Sequence, residues 1–217
     1  MGSGSQAGGS GKQESLWRGE FGDAYTDRNA VTDAGLAALT QNWARILRAT
    51  TGAPPDSIFE GGANLGLNLR ALRRLTTARF YAVEPNAKAR ARMIADDVIA
   101  KEDLGDGLLK SVALPDACVD LSFTSGVLIH VPPTDLLASC AEIVRLSRRY
   151  VVAIEYFSDT PQEILYRDHT EALFKRDFGL FYLENFPALR VLDYGFAWKP
   201  LSGLDNMTWW VFEKRGG

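Results

Sequence analysis

Two short apolar runs, SIFE at 57–60 and RFYAVE at 79–84, flank a glycine turn and a leucine stripe. The turn lies in FEGGANLG at 59–66 and carries Gly62 and Gly66; Leu65, Leu69 and Leu72 mark the helix behind it. The order strand, glycine turn, helix, strand constrains the chain more than any other feature. Glycine lets the backbone turn tightly and lets a ligand approach it closely. An acid, Glu84, closes the second strand, where a carboxylate can accept both hydroxyls of a ribose.

The alternation continues along the chain. Asn86 is placed to cap a helix running to about Ala100. A third strand is predicted within GLLKSVAL at 107–114 and a fourth in VDLSFTSGV at 119–127. A helix opens at Pro133 and Thr134, and RRYVVAIEYF at 148–157 reads as a buried central strand. Thr160-Pro161-Gln162-Glu163 has the form of a capping box and predicts a helix to about Asn185. RVLDYGFAW and MTWWVFEKR close the chain as an antiparallel pair. The pattern predicts an α/β fold: a Rossmann-like, seven-stranded, mostly parallel sheet, the last strand antiparallel, with helices on both faces.

Three regions follow. Residues 1–13 are too rich in Gly and Ser to pack a core and read as a flexible tag or tail. Residues 14–56 form an N-terminal lid and a helix, with Leu36, Leu39, Trp43 and Leu47 on one face. Residues 57–217 form the core, with a substrate-covering helical insertion at about 157–186. The net charge is −3, whereas a chain that grips nucleic-acid phosphates usually carries a basic surplus. No apolar run is long enough to span a membrane, and no signal peptide is visible, so the expected location is the cytoplasm. Cys118 and Cys140 sit in apolar stretches without zinc-site spacing and read as reduced core residues. No metal site is expected.

The turn distinguishes between nucleoside ligands. A dinucleotide site wants G-x-G-x-x-G, but Asn64 stands at the second glycine position. Glu60 brings a negative charge towards the turn, unfavourable beside a pyrophosphate and favourable beside a cation. S-adenosylmethionine carries a sulfonium and an ammonium group, and the residues favour it.

The chain resembles the class I S-adenosylmethionine-dependent methyltransferases, and more narrowly the pseudaminic acid biosynthesis-associated methylases. EFGDAYTDRN, FEGGANLGLNL, AVEPN, GVLIHVPP, AIEYF, YRDHTEALFKRDF, DYGFAW and TWWVFEK carry the resemblance, which spans nearly all of residues 16–214. It implies that Glu60, Gly62, Asn64 and Gly66 line the methionine half of the cofactor. Glu84 would take the ribose hydroxyls, with Pro85 and Asn86 beside the adenine and Ser111 and Val112 at its edge. Gly126 and Val127 would pass near the sulfonium, and Tyr25 and Arg28 would reach the cofactor carboxylate. The product would be S-adenosylhomocysteine.

Ligands of open α/β sheets bind beyond the carboxyl ends of the strands. His130 falls there and is the expected catalytic residue, a base for a hydroxyl acceptor. Glu155 and Tyr156 end the fifth strand on the same edge and are expected to contact the acceptor. Tyr166, Arg167, His169 and Lys175 follow, and their basic character points to an anionic acceptor. The expected reaction is O-methylation of a small polar or anionic metabolite, such as an acidic sugar or an amino-acid-derived intermediate. A peptide acceptor, or a cofactor-binding partner protein without turnover, fits the same residues.

Overall fold

The computed structural model describes residues 8–166 and 169–215. Its main sheet has seven strands in the order β3-β2-β1-β4-β5-β9-β8. The parallel centre is β1 (Ser57–Gly61), β2 (Arg79–Val83), β4 (Val119–Ser125) and β5 (Ser147–Glu155). β3 (Leu104–Gly105) extends it in parallel on one side. On the other, β9 (Met207–Lys214) runs antiparallel between β5 and the edge strand β8 (Leu189–Ala197). This is the predicted sheet.

Each face buries its own apolar cluster. On one side Ile58, Phe123, Val152 and Val211 meet Trp43 and Ile46 of α3 (Asp33–Leu47), Leu69 and Leu72 of α4 (Leu67–Leu72), and Met93 of α5 (Ala87–Ala95). On the other, Phe59, Val151, Ala153 and Phe212 meet Leu136, Cys140 and Ile143 of α6 (Pro133–Leu146) and Tyr182 of α7 (Phe178–Asn185). Strands covered on both faces favour continuous apolar runs, as β5 has over 150–154, while β4 alternates Val119, Leu121 and Phe123 with the small buried Ser122 and Thr124. The caps are local: Thr32 accepts from Gly35 N at 3.1 Å, and Asn86 accepts from Ala89 N at 2.9 Å. Burial pushes the Cys140 thiol up to about 12, while Cys118 is half-buried.

Four features differ from expectation. The third strand is Leu104–Gly105, and the stretch predicted as a strand at 107–114 is a loop. Side chains of α6 satisfy its backbone instead of a neighbouring strand: Val112 N donates to Glu142, and Arg145 donates to the carbonyls of Val112 and Leu114. α5 stops at Ala95, short of the predicted Ala100. The helix predicted from Thr160 to Asn185 is an antiparallel hairpin, β6 (Gln162–Tyr166) with β7 (His169–Lys175), followed by the shorter α7. The capping signal loses to tertiary packing: β7 lies against the turn at Leu128–His130 and buries Leu173 and Phe174. Asp177 supplies the cap of α7, accepting from Leu180 N. Finally, α1 (Gly8–Arg18) begins inside the predicted tail and is followed by α2 (Glu20–Arg28). No helix among the described residues is long and apolar enough to cross a membrane.

Candidate functional site

β1 and β4 diverge in connection at their carboxyl ends, because β1 leads outwards to β2 and β4 leads the other way to β5. A cleft opens there, as open α/β sheets dictate. Its floor is the glycine turn. Gly62 has φ +72°, and a Cβ built on it would sit 2.8 Å from Val127 Cγ2. Gly62 N and Ala63 N donate to the Val83 carbonyl, tying the turn to the end of β2.

Two buried carboxylates, Glu60 and Glu84, face this cleft; Asp135 also lines it, paired with Lys110 at 3.0 Å. Glu84 accepts from Asn64 N at 2.7 Å with one oxygen and from Asn86 N at 2.8 Å with the other. Burial nevertheless pushes its carboxyl up, with the two amides opposing. Glu60 is 2% exposed, and one oxygen accepts from Asn68 Nδ2 at 2.8 Å. Trp43 Nε1 donates to Asn68 Oδ1, which fixes that amide's orientation. The other Glu60 oxygen is buried and has no hydrogen-bond partner among the described residues. Burial, with Glu84 adding to it, pushes the Glu60 carboxyl up to about 8. Such a group calls for a cation or a donor from outside the chain.

α1 and α2 roof the cleft. Trp17 packs edge-to-face on Phe21, Tyr25 and His130, with ring centroids 5.0–5.4 Å apart. Asn86 Nδ2 donates to Asp23 at 2.8 Å and to the Trp17 carbonyl at 3.2 Å. Thr26 donates to Asn64 Oδ1 at 3.2 Å. Arg18 reaches Asp106 and the Pro85 carbonyl. Gly22 brings α2 close: a Cβ there would overlap the Trp17 carbonyl and press on Asn86.

Of the expected site residues, Tyr25, Glu60, Gly62, Asn64, Glu84, Pro85, Asn86, Gly126, Val127 and His130 line the cleft. Gly66 instead ends the turn at φ +65°, packed on Met93 and Val98. Arg28 is exposed and stacks over the Tyr25 ring at 5.7 Å. Ser111 and Val112 stand outside the lining; the wall at that end is Gly107–Lys110, since the third strand ends earlier than expected. Glu155 is fully buried and turned away from the cleft. It accepts from Val127 N and Leu128 N, holding the loop after β4, and burial pushes it up to about 7. Tyr156 donates to Asp205 at 2.9 Å, and the Lys175 ammonium lies 5.3 Å from its ring centre. Both line a separate groove beside β8. Arg167 and the side chains of Tyr166 and His169 lie outside the described residues.

Trp17, Thr26, Asn68 and Ser125 also line the cleft and were not singled out by sequence. Asn68 carried a usable signal: a polar residue on the first turn of a helix that starts beside a buried acid.

No protein-family model matches the chain, and no curated protein matches it. Solved structures do. The 1,6-didemethyltoxoflavin-N1-methyltransferase of Burkholderia thailandensis, with 1,6-didemethyltoxoflavin and S-adenosylhomocysteine bound, is 21% identical with a TM-score of 0.69; the match covers 99% of this chain and 93% of that one. An S-adenosylmethionine-dependent methyltransferase of Leishmania major gives 0.70 at 16% identity, over 93% and 82% of the two chains. The magnesium protoporphyrin IX methyltransferase of Synechocystis, with S-adenosylhomocysteine bound, gives 0.66 at 13%, over 94% and 99%. The fold is therefore that of the class I methyltransferases.

Proposed function

We propose that the chain is an S-adenosylmethionine-dependent methyltransferase of a small polar acceptor. The observation that carries this reading is the pair of buried carboxylates that line the cleft. They suit a ligand that carries both vicinal hydroxyls and an ammonium, since a cation favours the ionised form that burial disfavours. Glu84 would hold the ribose hydroxyls. Glu60, with Asn64 and Asn68 beside it, would hold the ammonium. Pro85, Asn86 and the Gly107–Lys110 turn would flank the adenine. Gly126 and Val127 would border the sulfonium.

When bound, the cofactor supplies a methyl group on an excellent leaving group, so alignment and exclusion of water are what the protein must add. Trp17 and Tyr25 exclude water by roofing the cleft. His130, 8% exposed and set against Trp17, faces the cleft and would take the proton of a hydroxyl acceptor. O-methylation is the reading we favour. The expected anionic acceptor leaned on a basic cluster whose described member, Lys175, lies in a groove that shares no lining residue with the cleft. The proposed acceptor therefore carries no required negative charge. The narrower likeness to the pseudaminic acid-associated methylases rests on the sequence motifs alone.

The test is turnover. Incubation with methyl-labelled S-adenosylmethionine and a pool of small hydroxylated metabolites should release S-adenosylhomocysteine and label one of them. Tight binding with no label in any acceptor would favour a partner protein without turnover.

A further inference from the structure

A second cavity, of about 330 Å³, lies between α3 and the carboxyl-end edge of β5 and β8. It shares Asn29, Leu67, Asn68 and Ser125 with the cofactor cleft. Asn68 is the hydrogen-bond partner of Glu60, so the two spaces adjoin beside Glu60. Met207 marks the same junction: its Cε lies 3.6 Å from a Cβ built on Gly126. Anything in this cavity would therefore face the stretch of the cleft beside Ser125 and Gly126, where the sulfonium and its methyl group are expected.

The lining has a definite chemistry. Leu36, Leu39, Ile154 and Met207 make it largely apolar. Asn42 interrupts the buried stripe of α3. It is 6% exposed, lines the cavity, and makes no side-chain hydrogen bond among the described residues. Neighbouring Trp43 and Ile46 are fully buried, whereas Asn42 opens on the cavity, so its amide is the polar group that this stretch of α3 offers there. Among the described residues, no Lys, Arg or His lines the cavity; the charged group there is Asp205. Lys199 and Tyr156 both donate to Asp205, and Lys199 foremost holds its carboxyl below the usual range.

We infer that this cavity holds the body of the acceptor, a compact uncharged molecule whose apolar part fills the space, whose far amide or hydroxyl pairs with Asn42, and whose reacting hydroxyl projects past Ser125 into the cleft that His130 lines. The inference rests on the methyltransferase reading. The volume is at the low end of small-molecule sites, which run about 300–1,000 Å³, so the body is on the scale of a single ring. An anion would find no cation in the lining, where the charged group is the Asp205 carboxylate already paired with Lys199 at 3.0 Å.

The test pairs two fragments of one shape, benzamide and benzoate, titrated into the protein saturated with S-adenosylhomocysteine and followed by NMR. Benzamide should shift the Asn42 side-chain amide and the Leu39, Ile154 and Met207 methyls, binding at least fivefold more tightly than benzoate. Leu39→Trp and Leu204→Trp, which fill the cavity from the helix and from the loop before β9, should abolish those shifts. Both should leave S-adenosylhomocysteine affinity within twofold. The loop variant guards against a folding defect in the helix variant. Absence of shifts with both fragments, equal or tighter binding of benzoate, or unchanged binding in the two filled variants would overturn the inference. Failure of S-adenosylhomocysteine to bind at the outset would instead overturn the methyltransferase reading beneath it.

Discussion

Glu60 and Glu84 carry the account at the scale of single residues. Burial raises the carboxyl of each, and for Glu60 the value reaches about 8 from the usual 4.5. Between those limits the folded protein binds a proton that the unfolded chain has lost. Stability of the ligand-free protein should therefore fall as pH rises from about 5 to 8, then level off. Thermal unfolding across that range checks this, and Glu60→Gln should flatten the curve. A cationic ligand reverses the preference, so affinity for S-adenosylhomocysteine should rise with pH up to about 8, and Glu60→Gln should remove the rise. Glu84→Ala should weaken the same affinity by about 1–3 kcal/mol, the scale of lost charged hydrogen bonds. Unchanged affinity would withdraw the ribose assignment. His130→Ala should lower turnover and leave cofactor affinity nearly intact. These three residues were legible because strand ends and a glycine turn place them. Glu155 was misread. Two strand-end acids look alike in sequence, but alternation turns one into the cleft and the other beneath the loop after β4.

The elements around the cleft divide into those with local signals and those without. The turn at Gly62 is of the first kind: φ is +72° and Val127 leaves no room for a Cβ. Gly62→Ala should cost about 1–2 kcal/mol of stability from the left-handed backbone alone, and cofactor affinity with it, measured by denaturant unfolding and calorimetry. The roof made by α1 and α2 is of the second kind. Its sequence lacks a period, and its position is fixed by long-range bonds: Asn86 donates to Asp23, Thr26 donates to Asn64, and Arg18 donates to Asp106. Trp17→Ala should remove three edge-to-face contacts and weaken S-adenosylhomocysteine binding by about 1–2 kcal/mol, mainly through faster dissociation in stopped-flow. The hairpin β6–β7 shows how a strong local signal fails. Thr160 to Glu163 has capping-box residues, yet packing of β7 on the turn at 128–130 decides the conformation.

At the scale of the molecule, the sheet was legible and the acceptor was not. Apolar runs alternating with helical stripes give the strand count, the two covered faces and the antiparallel end. The cofactor cleft is built largely from consecutive strand–turn–helix pieces, so its residues announce themselves in order. The second cavity draws Asn42 from α3, Ile154 from β5, and Asp205 and Met207 from the end of the chain. No local spacing links these positions, and the one hint was a polar residue on an otherwise apolar helix stripe.

Calorimetric titration of the purified protein with S-adenosylmethionine, S-adenosylhomocysteine and NAD in parallel tests the central claim most directly. The two carboxylates facing one cleft predict micromolar binding of both adenosyl ligands and none of NAD. Heat with NAD and none with S-adenosylhomocysteine would contradict the account, because it would mean that Glu60 does not select for a cation.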